Sequence, residues 1–202
     1  MDKVDLKKIL PAYSARRGRF DVVDLPPQRY LAIDGAGDPN TAAAYADALA
    51  TLFPVAYALK FASKRELDRD YVVPPLEALW WAADMTAFTS ARDKSAWSWT
   101  AMILVPEWLD DDRVAAAIDR CADAPAVDAL RVLALDEGRC VQTLHVGPYD
   151  DEAPVLAELH DEVIPARGLR MTGRHHEIYL SDARRTDPAK LRTILRQPVT
   201  AI

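Results

Sequence analysis

Glu177 and Tyr179 are the side chains whose types and spacing most suggest chemistry. They lie in the run His175-His176-Glu177-Ile178-Tyr179-Leu180, whose alternation predicts a β-strand with successive side chains on opposite faces. His175, Glu177 and Tyr179 then share one face, while Ile178 and Leu180, with His176 at the end of the row, face a core. At roughly 3.3 Å of rise per residue the carboxylate and the phenol stand about 6.5 Å apart, enough to hold a small ligand or a ligand and a water. The competing reading is a solvated strand face. Adjacent histidines on a strand point apart, so His175 and His176 cannot ligate one metal. A set of His175, Glu177 and a distant His145 is conceivable, but no metal is expected. No GxSxG elbow and no phosphate loop occurs, and no cofactor is expected.

The composition sets bounds. The chain has 202 residues, half of them hydrophobic, and a formal net charge of -6. That is enough for a substantial core in one large domain or two small, closely packed ones. An acidic chain without a long basic run is a poor nucleic-acid partner. The basic cluster at Arg184, Arg185, Lys190, Arg192 and Arg196 is interrupted by Asp182 and Asp187 and reads as a solvated face. Cys121 and Cys140 lack CxxC spacing and read as free thiols. No signal peptide is predicted, and the apolar stretch from Ala42 to Ala62 is broken by Asp47, Pro54 and Lys60, so no membrane span is expected. The expectation is a soluble cytoplasmic protein of undetermined oligomeric state.

The elements that must position Glu177 follow from pattern. Residues 1–18 form an arm with a short helix between Asp2 and Leu10. Phe20–Leu25 and Gln28–Asp34 read as strands. The turn Gly35-Ala36-Gly37-Asp38-Pro39-Asn40 lacks the third glycine of a dinucleotide fingerprint. A helix runs from there toward Phe53, and Pro54 is expected to kink it or to begin a second segment to Ala62. Ser63–Asp70 reads as a loop, and Tyr71–Trp81 as a long strand. Pro74-Pro75 forces a bulge or edge there, which leaves open how Glu77, Trp80 and Trp81 face. After a connection at 82–95 come a strand over Trp97–Val105, a helix over Glu107–Ala122 with Trp108 in the core, and a hairpin over Leu130–Val146. A helix from about Glu152 to Ala166 and the strand over 175–181 follow. Asp187-Pro188 reads as a cap before a final helix ending near Arg196. Two halves, about 19–105 and 129–182, repeat the same order around the turns at Gly35 and Gly147. This predicts an α+β fold of duplicated βαββ units with pseudo-two-fold symmetry, whose antiparallel sheets and helices frame a central groove.

At this point a family resemblance enters. The run Gly173-Arg174-His175-His176-Glu177-Ile178-Tyr179-Leu180-Ser181-Asp182, with Arg185 and the stretch from Leu191 to Val199, resembles the stand-alone GyrI-like proteins. Pro75-Leu76-Glu77-Ala78-Leu79-Trp80-Trp81, Trp97-Ser98-Trp99 and His145-Val146-Gly147-Pro148-Tyr149 are similar to them as well. The resemblance spans residues 19–202 as one domain. It implies a groove that binds bulky, often aromatic or cationic small molecules, and no helix-turn-helix extension is expected here. Members nearest this pattern resemble hydrolases that open the cyclopropane of DNA-alkylating natural products. On that basis Glu177 is the acidic groove residue, and Tyr71, Trp81, Trp97, Trp99, Tyr149 and Tyr179 are groove aromatics, with Glu77 and His175 as further ligand-binding candidates.

An aromatic wall with a carboxylate at its floor suits planar or cationic ligands. Partial desolvation would raise the carboxyl pKa toward use as a base. Glu177 would then polarise a water attacking the strained methylene, and Tyr179 or another groove phenol would hydrogen-bond the carbonyl that gains charge. The alternatives from the same groove are a non-catalytic protein that sequesters drugs and one that modulates a protein partner such as gyrase.

Overall fold

The computed structural model describes residues 3–84 and 93–202, so residues 85–92 of the expected 82–95 connection lie outside the described part. Among the described residues nine strands form one antiparallel sheet: β1 (Asp21–Leu25), β2 (Gln28–Ala36), β3 (Leu76–Trp81), β4 (Ser98–Val105), β5 (Arg131–Leu135), β6 (Gly138–Val146), β7 (Leu169–Met171), β8 (His175–Tyr179) and β9 (Arg192–Ala201). Their order is β1-β6-β9-β8-β3-β4-β2-β5, with β7 added on the end of β9. That order maps onto itself when β1 is exchanged with β5, β2 with β6, β3 with β8 and β4 with β9. The pair β3–β8 stands at its centre.

Alternation along these strands gives the sheet two different faces. One bears helices. Leu31, Ile33, Ala78, Trp80, Trp99, Ala101 and Ile103 meet Ala48, Leu52, Val55, Ala56 and Leu59 of α2 (Ala43–Glu66). At the other end Val141 and Val199 pack beneath Leu159 and Ile164. Those two come from a helical segment that starts as α4 (Ala153–Ala157), passes through a π-helical turn at Glu158–Val163 and closes as α5 (Ile164–Ala166). Because α2 lies on β2 and β4 and the second segment lies over β6 and β9, the central strands β3 and β8 form the floor of a cleft between two helical walls. On the back face the N-terminal arm, with α1 (Leu6–Ile9), buries Leu6 and Tyr13 against Tyr30, Met102, Leu104, Ile178 and Ile194. No helix among the described residues is long and apolar enough to cross a membrane.

Four expectations change here. The segment read as a final helix is β9. Asp187 does cap a turn at Pro188, but only one 3-10 turn forms before the chain extends. The β-branched run in Arg192–Ala201 then fills the slot between β6 and β8. Pro54 does not split α2, which runs on to Glu66 and through most of the segment read as a loop. Pro54 and Ala50 both sit on the exposed side, where water can take up the carbonyl that the proline leaves unbonded. The long strand at Tyr71–Trp81 begins only at Leu76, after the two prolines, and contains no bulge opposite β4 or β8. Finally, the helix over Glu107–Ala122 shortens to α3 (Asp111–Asp119), because Asp110 caps it by accepting from the Arg113 amide.

The back face also buries a chain of charged groups. His176, wholly buried, lies between Glu77 (Nε2 to Oε2, 3.0 Å) and Glu137 (Nδ1 to Oε1, 3.0 Å). Arg196 donates to Glu137 at 3.0 Å, to Gln142 at 3.0 Å and to the Ala12 carbonyl at 2.5 Å. The arm closes the other end, where the Tyr13 hydroxyl donates to Glu77 at 2.6 Å. Burial opposes a charge on His176, yet Glu137 and Glu77 together hold its pKa above the usual value. Against the same burial, His176 and Arg196 pull Glu137 down to about 2. His176 and Arg196 thus share the buried back face with Glu137 and Glu77.

Candidate functional site

The cleft floor is set by register. Pairing of Ala78 with Glu177 and of Trp80 with His175 puts Trp80, His175, Glu177 and Tyr179 on the helix-bearing face. Glu177 keeps 15 % of its side chain accessible. Its Oε2 accepts from the Tyr179 hydroxyl at 2.7 Å, and that hydroxyl accepts from the Trp80 indole N–H at 3.1 Å. Tyr45, in the first turn of α2, stacks on Trp80 with centroids 6.2 Å apart. Trp97 stands edge-on to Trp80 at 5.5 Å, and Tyr149, from the turn before α4, stands edge-on to Tyr179 at 5.6 Å. Lys94 and Asp150, one from each side of the cleft, pair at 2.8 Å. The result is an aromatic cleft closed below by the Glu177 carboxyl, which the Tyr179 hydroxyl orients and which the Trp80 indole steadies through that hydroxyl.

A second carboxyl belongs to the site. Glu152, immediately before α4, is buried to 4 % exposure, and its Oε1 has no hydrogen-bond partner among the described residues. Burial, and then the charge of Glu177, push its pKa up to about 10, although the neighbouring Thr193 hydroxyl works in the other direction. Burial raises Glu177 to about 7 against the opposing pull of Tyr179, His176 and Trp80. Near neutral pH, therefore, Glu152 holds a proton and Glu177 exchanges one. His175 lies 3.7 Å from Glu177 Oε1, but burial, with His160 and His176 nearby, drives its pKa down to about 3. The contact is with a neutral imidazole and is not an ion pair. No group of three His, Cys, Asp or Glu side chains among the described residues is arranged to hold a metal.

Such a carboxyl costs stability. A group that folds with a raised pKa contributes most below its unfolded value near 4.5, and the contribution erodes as pH climbs toward about 10. Glu152→Gln should therefore stabilise the protein at pH 8, by on the order of 2 kcal/mol, and change it little at pH 5. Urea melts at the two pH values measure this. Equal effects at both would contradict the assigned protonation.

The sequence candidates divide. Glu177, Tyr179, Trp97, Tyr149 and His175 come together at the cleft. Trp99 points to the same face but is fully buried beneath Tyr45, whose ring meets it edge-on at 5.0 Å. It supports the wall and does not line it. Tyr71 is corrected: it precedes β3, bridges Val4, and packs on Trp108 in the core. Glu77 and Trp81 are corrected too. With no bulge, their odd positions on β3 face the back of the sheet, where Glu77 meets His176 and Trp81 lies under the Arg174 guanidinium at 3.4 Å. Trp80 takes the position on the cleft face, where it is buried against Tyr45 and Trp97. Tyr45, Glu152 and Thr193 were not singled out by pattern. Glu152 is one acid in the run Asp150-Asp151-Glu152, and only the fold shows that it alone turns inward.

Trp99 has its own constraint. A Cβ on Gly35 would sit 2.2 Å from its ring carbons, and Tyr45 covers the other side of the indole. Gly35→Ala should cost about 1–3 kcal/mol as overpacking and weaken ligand binding by displacing Tyr45. Denaturant melts and tryptophan quenching would show both. A neutral substitution would mean that the ring has room to move.

Comparison with known proteins gives a consistent answer. Residues 19–199 match the family described as GyrI-like small molecule binding domain. An uncharacterized conserved protein from Listeria innocua is 34 % identical, with a TM-score of 0.87, covering 98 % of this chain and 100 % of that one. Two hydrolases from Listeria innocua are similar at 33 % and 32 % identity, with TM-scores of 0.82 and 0.85 and the same coverage. No curated protein matches the chain.

Proposed function

The chain belongs to the GyrI-like small-molecule-binding family, and from that footing we propose that it hydrolyses strained, aromatic, cyclopropane-bearing electrophiles in its cleft. The observation that carries this reading is a pair of largely buried carboxyls, Glu177 and Glu152, beneath aromatic walls, where burial raises both, Glu152 further than Glu177. Separated pKa values are what acid–base division of labour requires. The similar Listeria proteins of hydrolase type agree with it.

The planar ligand lies between Tyr45, Trp80 and Trp97 on one side and Tyr149 on the other. Glu177 takes a proton from a water as the water oxygen bonds to the cyclopropane methylene. The ring carbon–carbon bond breaks, and its electron pair moves through the conjugated system onto the carbonyl oxygen. Glu152 supplies a proton there, which yields a phenol. The product is the substrate plus one water, and the two carboxyls have exchanged protonation states until a proton returns. Tyr179, whose hydroxyl donates to Glu177, positions the base, which leaves to Glu152 the contact with the carbonyl expected of Tyr179 from sequence. Relief of ring strain supplies driving force, so modest acid–base help suffices.

The test is incubation with a cyclopropapyrroloindole-type compound, followed by mass spectrometry. Catalytic gain of one water supports the proposal. Tryptophan quenching without turnover would leave a sequestering protein, and neither signal would rule out this ligand class.

A further inference from the structure

α2 presents a second apolar surface besides the one it buries. Its outward side carries Ala43, Ala46, Ala50, Pro54, Tyr57 and Phe61, all exposed, at the three- and four-residue spacings that make one stripe along a helix. Tyr57 and Phe61 are each 48 % exposed, with centroids 6.5 Å apart. A helix apolar on both sides is ordinarily covered on both.

The stripe is graded, and the grading says what fits it. Alanines occupy its N-terminal end, the two aromatic rings its C-terminal end, and Pro54 the middle. Laid antiparallel on itself about an axis near Pro54, Ala46 falls opposite Phe61 and Ala50 opposite Tyr57, so each ring meets a methyl-floored gap. Laid parallel, ring meets ring and gap meets gap. Charge makes the same choice. Asp47 flanks the alanine end and Arg65 the aromatic end on the same side, both exposed and neither ion-paired among the described residues. Lys64, whose ammonium lies 3.6 Å from Asp70, extends the basic end. Antiparallel packing directs Asp47 toward the partner's Arg65 and opposes the helix dipoles favourably. Parallel packing would set like charges together.

We propose that this stripe is the contact between two copies of the chain, packed α2 against α2 about a two-fold axis near Pro54. Residues at the axis meet themselves, and residues away from it meet a different residue of the partner. The cleft lies on the inner side of the same helix, so each copy keeps its own site and turns it away from the interface.

Sedimentation equilibrium and cysteine cross-linking test this together. In a Cys121→Ser background, with Cys140 buried, Pro54→Cys should oxidise to a covalent dimer. Ala46→Cys and Phe61→Cys should not cross-link alone but should do so when mixed. Tyr57→Glu should give a monomer that still quenches on ligand titration with wild-type affinity. A wild-type monomer throughout the micromolar range would overturn the proposal, as would self-cross-linking at Ala46 and Phe61, which reports a parallel pair. Flotation of a monomeric wild type with anionic phospholipid vesicles would overturn it as well and assign the stripe to a membrane surface.

Discussion

Glu177→Gln should lower turnover by about 10²–10⁴, the range that a positioned base contributes, and leave binding within a few-fold of wild type. Glutamine keeps the shape and can still accept from Tyr179, so the aromatic walls stay in place. It cannot take the water proton. It also removes the charge that helps to hold Glu152 in its acid form, so the high-pH limb set by Glu152 should move down as the low-pH limb set by Glu177 disappears. In the wild type the rate should climb as Glu177 deprotonates near 7 and fall as Glu152 loses its proton near 10. Single-turnover mass spectrometry across pH, with quenching titrations alongside, measures both effects. Undiminished turnover in the variant would remove Glu177 from the mechanism altogether.

The second large effect concerns stability. Arg196→Met should destabilise the fold by about 3–5 kcal/mol, the cost of leaving a buried partner charge uncompensated. Arg196 is 1 % exposed, and its loss strips Glu137 of one of its two cations and Gln142 and the Ala12 carbonyl of their donor. Against a total of roughly 5–15 kcal/mol for a typical domain, that is a large share. Adding Glu137→Gln should recover part of it by neutralising the stranded carboxylate. Guanidinium melts of the single and double variants give the coupling. A single variant as stable as wild type would mean that water reaches the network.

How far the site could be read from the chain depended on whether the deciding information was local. Alternation over His175–Tyr179 is local, so the strand and the shared face of Glu177 and Tyr179 were visible. The depth of Trp99 was not, because it depends on Tyr45 crossing over from another element. Glu77 looked like a site acid because charge usually means exposure. Its burial beside His176 depends on a strand nearly a hundred positions away in the chain. Residues 188–196 looked helical for a similar reason. Arg192 and Arg196 fall one turn apart, as on a solvated helix face, whereas Arg196 in fact enters the interior because Glu137 awaits it. The family resemblance placed the groove. Only the pairing register decided between Trp80 and Trp81.

The first strand of each half pairs with the other half: β1 lies on β6, and β5 on β2. A ribosome that has released only the first hundred or so residues has therefore delivered neither the neighbour of β1 nor the outer cover of β2. Closure waits for pairs such as Asp21 with Gln142, and long loops must be ordered before they are rewarded, which makes for slow assembly. Until then the nascent chain exposes strand edges open to wrong partners, so its yield in a cell should depend on chaperones more than its final stability would suggest. Neither half, expressed alone, would be expected to persist.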